Sequence, residues 1–234
     1  MHGHVQHLML NMYNMVMRNL APGEYYHICT RGVRKGNIFH TEKDRARLLF
    51  ALLHFQAPIE FQNIHRNIKF LLETGSFDVE NDIVEKIVKN RIVELCSFSF
   101  ISNHIHLMLH NLTENGITKY IQRSLNSYGK YYNTFYDASG HIFESRFKSV
   151  HVENNEQALH LSAYIHKNPI DIVRQKKKLV EYKWSSFSDY VGSNRWGKLL
   201  VPDLIMDQFE NGQEYKEWVL DSPAKELNNP LFNI

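Results

Sequence analysis

An α+β sandwich, with helices packed on a central antiparallel sheet, is the fold class predicted by this 234-residue chain. Three observations carry that expectation. Strand-like and helix-like stretches follow one another in the order strand, helix, strand, strand, helix, strand, helix. Two alternating apolar runs, residues 94–101 and 104–110, are separated only by Ser102-Asn103, the spacing of an antiparallel hairpin. The helix-like stretches begin at cap residues and repeat their apolar side chains every three or four positions.

Taken in order, residues 1–21 form an N-terminal extension rich in His2, His4, His7 and methionine, closed by the Pro22-Gly23 turn signal. Residues 24–31 read as a strand carrying Tyr25, Tyr26, Ile28 and Cys29. Residues 41–55 read as a helix capped by Thr41, with Leu48, Leu49, Leu52, Leu53 and Phe55 on its apolar side, and Pro58 stops it. Residues 59–92 predict a helical insertion. In the run 94–101, Cys96, Phe98 and Phe100 fall on one face. In the run 104–110, Ile105, Leu107 and Leu109 face the core, so His104, His106, Met108 and His110 share the other side. A long helix follows from Thr113, its expected cap, to about residue 133. After a turn at 137–140 comes a strand at 147–152. A last helix starts at Asn154, with Gln157 placed for a capping box, and ends before Pro169. Residues 193–234 form an acidic C-terminal extension, leaving residues 22–192 as the main domain.

Hydrophobic content of 43% and charged content of 22% are those of an ordinary globular chain, and no apolar run is long enough to span a bilayer. No secretory signal is recognisable, and Cys29 and Cys96 read as buried thiols, so the expectation is a cytoplasmic protein without a membrane partner. The net charge of +2 is unevenly spread. Residues 119–183 hold eleven Lys/Arg against six Asp/Glu, whereas residues 201–234 hold two Lys against seven Asp/Glu. A basic middle attracts phosphates, although a solvated surface explains such a bias equally well.

The chemistry-bearing residues are His104-Ile105-His106 and Tyr164-Ile165-His166-Lys167-Asn168. A strand turns positions i and i+2 to one face, roughly 7 Å apart at Cα, so both imidazoles can reach one cation. His110 lies roughly 13 Å beyond His106 and is excluded as a third ligand. A helix turns i and i+4 to one face, so Tyr164 and Asn168 point together. An isolated His-x-His is more often structural than catalytic, and a lone helical tyrosine is more often a packing residue. Their combination is what matters. Two imidazoles and an amide oxygen suit a divalent ion such as Mg²⁺ or Mn²⁺ with open positions for phosphate oxygens, and a phenol beside it is a candidate nucleophile. His160, His166 and Lys167 are candidates for proton transfer or for steadying the phosphate.

These residues sit within longer motifs: Asn103-His104-Ile105-His106-Leu107, the run from Gly140 to Lys148, Tyr164-Ile165-His166-Lys167-Asn168-Pro169, and Trp184-Ser185-Ser186-Phe187. In order and content they resemble the single-tyrosine HUH transposases of insertion sequences, especially the REP-associated tyrosine transposase group. The resemblance covers about residues 23 to 190; the 59–92 insertion and the acidic tail stand outside it. It implies a ferredoxin-like domain, His104 and His106 as the metal-binding pair, Asn168 as the residue completing the metal site, and Tyr164 as nucleophile. It further implies cleavage of single-stranded DNA beside a hairpin through a covalent 5′-phosphotyrosine, followed by rejoining, with a homodimer and a monomer both open. Arg31, Arg34, Lys35, Arg123, Arg146, Lys148, Lys167 and Arg174 are candidate contacts to DNA. Two other readings compete: a domesticated, non-catalytic binder of hairpin DNA or RNA, and a metal-dependent phosphodiesterase that uses water.

Overall fold

The structure, a computed structural model, describes residues 20–144 and 146–224. The histidine-rich start (His2, His4, His7) and residues 225–234 lie outside the described residues. Four strands form the sheet: β1 (Tyr25–Arg31), β2 (Val93–Phe100), β3 (His104–Asn111) and β4 (Lys148–Val152). Their order is β2-β3-β1-β4, with every neighbouring pair antiparallel. With one helical crossover between β1 and β2 and another between β3 and β4, this is the βαββαβ topology of the ferredoxin-like fold.

The first crossover begins with α1 (Glu42–His54). Thr41 caps it as its sequence predicts: the Thr41 hydroxyl accepts from the Asp44 amide, and the Asp44 carboxylate accepts from the Thr41 amide at 2.8 Å. Such a cap contributes about 1 kcal/mol. Residues 59–92 hold two helices, α2 (Ile64–Thr74) and α3 (Asn81–Asn90). The second crossover is α4 (Gly116–Phe135). Here the expected cap is wrong. Thr113 belongs to the preceding turn, and Asn115 takes the N-cap position with φ 60° and no side-chain bond. The buried Asn111, at the end of β3, does the capping instead. Its Oδ1 accepts from the Ile117 amide at 3.1 Å, and its Nδ2 donates to the Leu20 carbonyl at 2.7 Å.

Helices α1 and α4 cover the sheet face formed by Ile28, Ile105, Leu107 and Leu109, all fully buried. On β2 the expected row of Cys96, Phe98 and Phe100 is broken by a bulge. The register slips between Leu95 and Ser97, so Leu95 opposes Leu109, while Phe98 and Phe100 oppose Leu107 and Ile105. Leu95 joins that row and Cys96 falls in the bulge. Both cysteines are free and buried.

The opposite face carries Tyr25, His27, Cys29 and Arg31 on β1 and His104, His106, Met108 and His110 on β3. Helix α5 (Asn155–Lys167) packs on it, capped by Asn154, whose Oδ1 accepts from the Gln157 amide at 2.9 Å. Past α5 the chain forms α6 (Ile170–Val173), α7 (Phe187–Val191), α8 (Asp203–Met206) and α9 (Gly212–Asp221). The free edge of β2 is closed by this part of the chain: Phe100 donates to the Trp184 carbonyl, Ser186 to Phe98, and Val201 to Leu95. Residues 193–224 are therefore packed onto the domain, and α9 rests on α5 and α7. Among the described residues no helix is long and apolar enough to cross a membrane.

Candidate active site

The site lies where α5 crosses β1 and β3. Strand pairing sets Cys29 opposite His106 and Arg31 opposite His104, so all four side chains face the helix. The two imidazoles are 4.9 Å apart between ring centroids and nearly perpendicular. Tyr164, half-buried on α5, meets the His106 ring edge-on at 5.3 Å, with an interplanar angle of 89°. Asn168 caps the C-terminal end of α5 and is 5% exposed, and its side chain donates to the Tyr164 oxygen. The structure thus brings together Tyr164, His104, His106 and Asn168, in the arrangement that strand and helix periodicities predict.

Burial pushes the Tyr164 phenol above its ordinary pKa, and the nearby Cys29 thiol adds to that. The Arg31 guanidinium and the hydrogen bond from Asn168 act in the opposite direction by stabilising the phenolate. Burial pushes Cys29 itself up to about 11, so it is a neutral thiol at physiological pH.

Two neighbours that sequence periodicity does not reveal hold the histidines. His27, fully buried on β1, places Nε2 2.9 Å from Nδ1 of His106, and its ring stacks against that imidazole at 5.1 Å. Asn103 places Oδ1 2.8 Å from Nδ1 of His104 while donating its Nδ2 to the Lys35 carbonyl at 3.1 Å. With both Nδ1 atoms engaged, Nε2 is the ring nitrogen by which each histidine would bind a cation. Among the described residues no three His, Cys, Asp or Glu side chains form a metal-holding group. A metal here would take two imidazoles and complete its shell with an amide oxygen, from Asn168, and with oxygens from outside the protein. That mixed N/O donor set, with its open positions, fits a divalent ion such as Mn²⁺ or Mg²⁺.

The basic candidates separate into three groups. Arg31, Arg146 and Lys148 line one small pocket with Cys29, Thr30 and Glu144, beside the tyrosine. Arg34 and Lys35, in the 3-10 turn after β1, and Arg174, at the end of α6, are exposed, all with left-handed backbone. Two others are occupied by the fold. The Arg123 guanidinium donates to the carbonyls of Ala57 and Ile59 and lies 4.4 Å over the Phe55 ring, clamping the chain after α1. Lys167 is 4% exposed, and its ammonium donates to the Ser222 carbonyl, so it holds the C-terminal segment and does not face a phosphate. A groove of about 740 Å³ with Lys43, Arg47, Lys130 and Phe135 in its lining is formed by α1, α2 and α4, on the far layer of the sandwich.

The proton-transfer candidates on α5 also point elsewhere. His166 is fully buried, with Nδ1 2.6 Å from the Tyr215 hydroxyl and Nε2 2.8 Å from the Ser186 hydroxyl. Burial lowers its pKa to about 3, which keeps it neutral. The Tyr215 hydroxyl donates onward to Ser162 at 3.1 Å, so this network ties α9 and the Ser185-Ser186 segment to the helix that carries the tyrosine. His160 packs against Trp218 at 5.9 Å, on the same outer side.

Residues 69–168 match the family model described as Transposase IS200 like. The matched span opens in α2, takes in both histidines and Tyr164, and closes on Asn168. Over this segment the chain is similar to the IS200-like transposases. A solved structure of a REP-associated tyrosine transposase bound to a REP hairpin is similar to the chain with 15% identity and a TM-score of 0.49, covering 80% of this chain and 91% of that one. No curated protein matches the chain. The matched segment ends at Asn168, so the packing of residues 193–224 against α5 lies outside it.

Proposed function

We propose that the protein is a metal-dependent single-stranded DNA endonuclease and strand transferase, with Tyr164 as nucleophile and His104, His106 and Asn168 as metal ligands. The observation that carries this reading is the edge-on meeting of Tyr164 with His106 at 5.3 Å within one chain, which needs no second copy to bring phenol and imidazole together. A bound divalent ion would polarise the scissile phosphate and offset its charge. The Tyr164 oxygen attacks phosphorus, the bond to the 3′ oxygen breaks, and the phenol proton is balanced by protonation of the released 3′-hydroxyl. The 5′-phosphotyrosine keeps the energy of the broken ester, so rejoining needs no nucleotide hydrolysis. Asn168 orients the phenol, and Arg31 favours charge on its oxygen. Arg31, Arg146 and Lys148 hold the backbone beside the reacting phosphate. The resemblance of the motifs to the REP-associated group supports a hairpin-bearing single strand as substrate, with residues 22–192 as the catalytic unit.

The test uses labelled single strands from the flanks of the protein's own gene, with Mn²⁺. Wild type should give a labelled band that survives detergent, and Tyr164→Phe should give none while binding the strand with similar affinity. An adduct retained in Tyr164→Phe would refute the assignment. Cleavage without any adduct would favour attack by water, and binding without cleavage would favour the non-catalytic binder.

A further inference from the structure

The two candidate histidine ligands are held from behind by side chains of different kinds, an amide at His104 and an imidazole at His106. At His104 the partner atom is unambiguous. Asn103 donates through Nδ2 to the Lys35 carbonyl, so the atom it turns to His104 is Oδ1, which only accepts. His104 must therefore carry its proton on Nδ1 and present a lone pair at Nε2. At His106 the partner is another imidazole, and a bond between His27 Nε2 and His106 Nδ1 can run in either direction. If His27 donates, His106 is protonated at Nε2 and cannot ligate through it. If His27 accepts, His106 matches His104.

We propose that His27 is a positioning residue that accepts from His106 Nδ1 and so fixes His106, like His104, as the Nδ1–H tautomer with Nε2 turned to a divalent cation. This inference rests on the proposed metal site and adds to it a residue from a third element, β1. Several features suit His27 to the role. It is 0% exposed, so water does not compete for its Nε2. It stacks at 25° on the His106 ring and meets Tyr164 edge-on at 5.9 Å, so one side chain braces the metal ligand and lies against the nucleophile. Its strand pairs directly with β3, which makes the spacing a property of the sheet and not of a loop. Outer partners of metal-bound histidines commonly set tautomer and ring orientation, and their loss typically costs about 10- to 100-fold in metal affinity.

The first test needs no variant of His27. Long-range ¹H–¹⁵N correlation of the imidazoles in the metal-free full chain at about pH 8, assigned with His104→Gln and His106→Gln, reads the tautomers directly. Both His104 and His106 should be Nδ1–H; an Nε2–H signal for His106 overturns the proposal. The second test follows Mn²⁺ binding by electron paramagnetic resonance. His27→Met, which keeps the volume without a strong acceptor, should weaken binding by about tenfold or more, and His27→Gln, which restores an acceptor at the Nε2 position, should recover most of it. Equal Mn²⁺ affinity in wild type and His27→Met would overturn the proposal. Mn²⁺ binding that His106→Ala leaves unchanged would instead refute the metal-site reading itself, so the two failures are distinguishable.

Discussion

Lowering the pH from about 8 to about 5 should destabilise the wild-type protein by about 2 kcal/mol more than it destabilises His54→Phe. His54 sits in the last turn of α1, 1% exposed, with Nδ1 donating to the Phe50 carbonyl at 2.9 Å. Its ring stacks on Phe50 at 4.2 Å and touches Phe61 and Phe77 edge-on. Burial among these rings lowers its pKa to about 4. In the unfolded chain it returns to about 6.5. Below about 6.5 the unfolded state therefore binds a proton that the folded state refuses, and stability falls with pH until the folded group also titrates near 4. At about pH 5 the uptake is worth RT ln(1 + 10^1.5), about 2 kcal/mol. Phenylalanine keeps the aromatic contacts and removes the proton site, and every other group titrates alike in the two proteins. The assay is urea unfolding of both at the two pH values. Parallel losses of stability would show that position 54 takes up no extra proton on unfolding and would refute the reasoning.

Three further outcomes are expected. Tyr215→Phe leaves the buried Nδ1–H of His166 without its acceptor and should cost about 1–3 kcal/mol in chemical denaturation; a neutral result would mean that this network does not hold α9 on α5. Lys148→Ala should lower affinity for single-stranded DNA uniformly across sequences and reduce the salt slope by about one; an unchanged slope would remove Lys148 from the DNA contact. Lys167→Met should leave that slope unchanged and instead lower stability, because its ammonium is bonded to the Ser222 carbonyl inside the fold; a reduced slope would contradict the buried placement.

The sheet, the crossover helices and the meeting of Tyr164 with the histidines were legible because each rests on a local period. Alternation puts His104 and His106 on one face, and a helical turn puts Tyr164 and Asn168 on another. What escaped depends on pairing between distant segments. His27 looks like one more polar residue in a strand until the β1–β3 register sets it beside His106, 79 positions away. The bulge at Cys96 is a registry event, invisible in a run that alternates cleanly by eye. Thr113 has the chemistry of a cap, but Asn111 reaches the helix amides from the end of β3 and takes the role. Lys167 and His166, polar residues next to the tyrosine, invite a catalytic reading, yet on a helix they point roughly 100° apart per residue from their neighbours. The acidic character of residues 201–234 gives no hint of how residues 193–224 pack, because Tyr215 and Val219 supply apolar contacts that a charge count does not register.

The central claim is tested most directly by mass spectrometry of the protein after incubation with a hairpin-bearing single strand and Mn²⁺, followed by nuclease and protease digestion. The account predicts a nucleotide joined through its 5′-phosphate to the peptide containing Tyr164, absent when His106 is replaced by alanine. A nucleotide on any other side chain, or strand cleavage with an unmodified Tyr164, would contradict it.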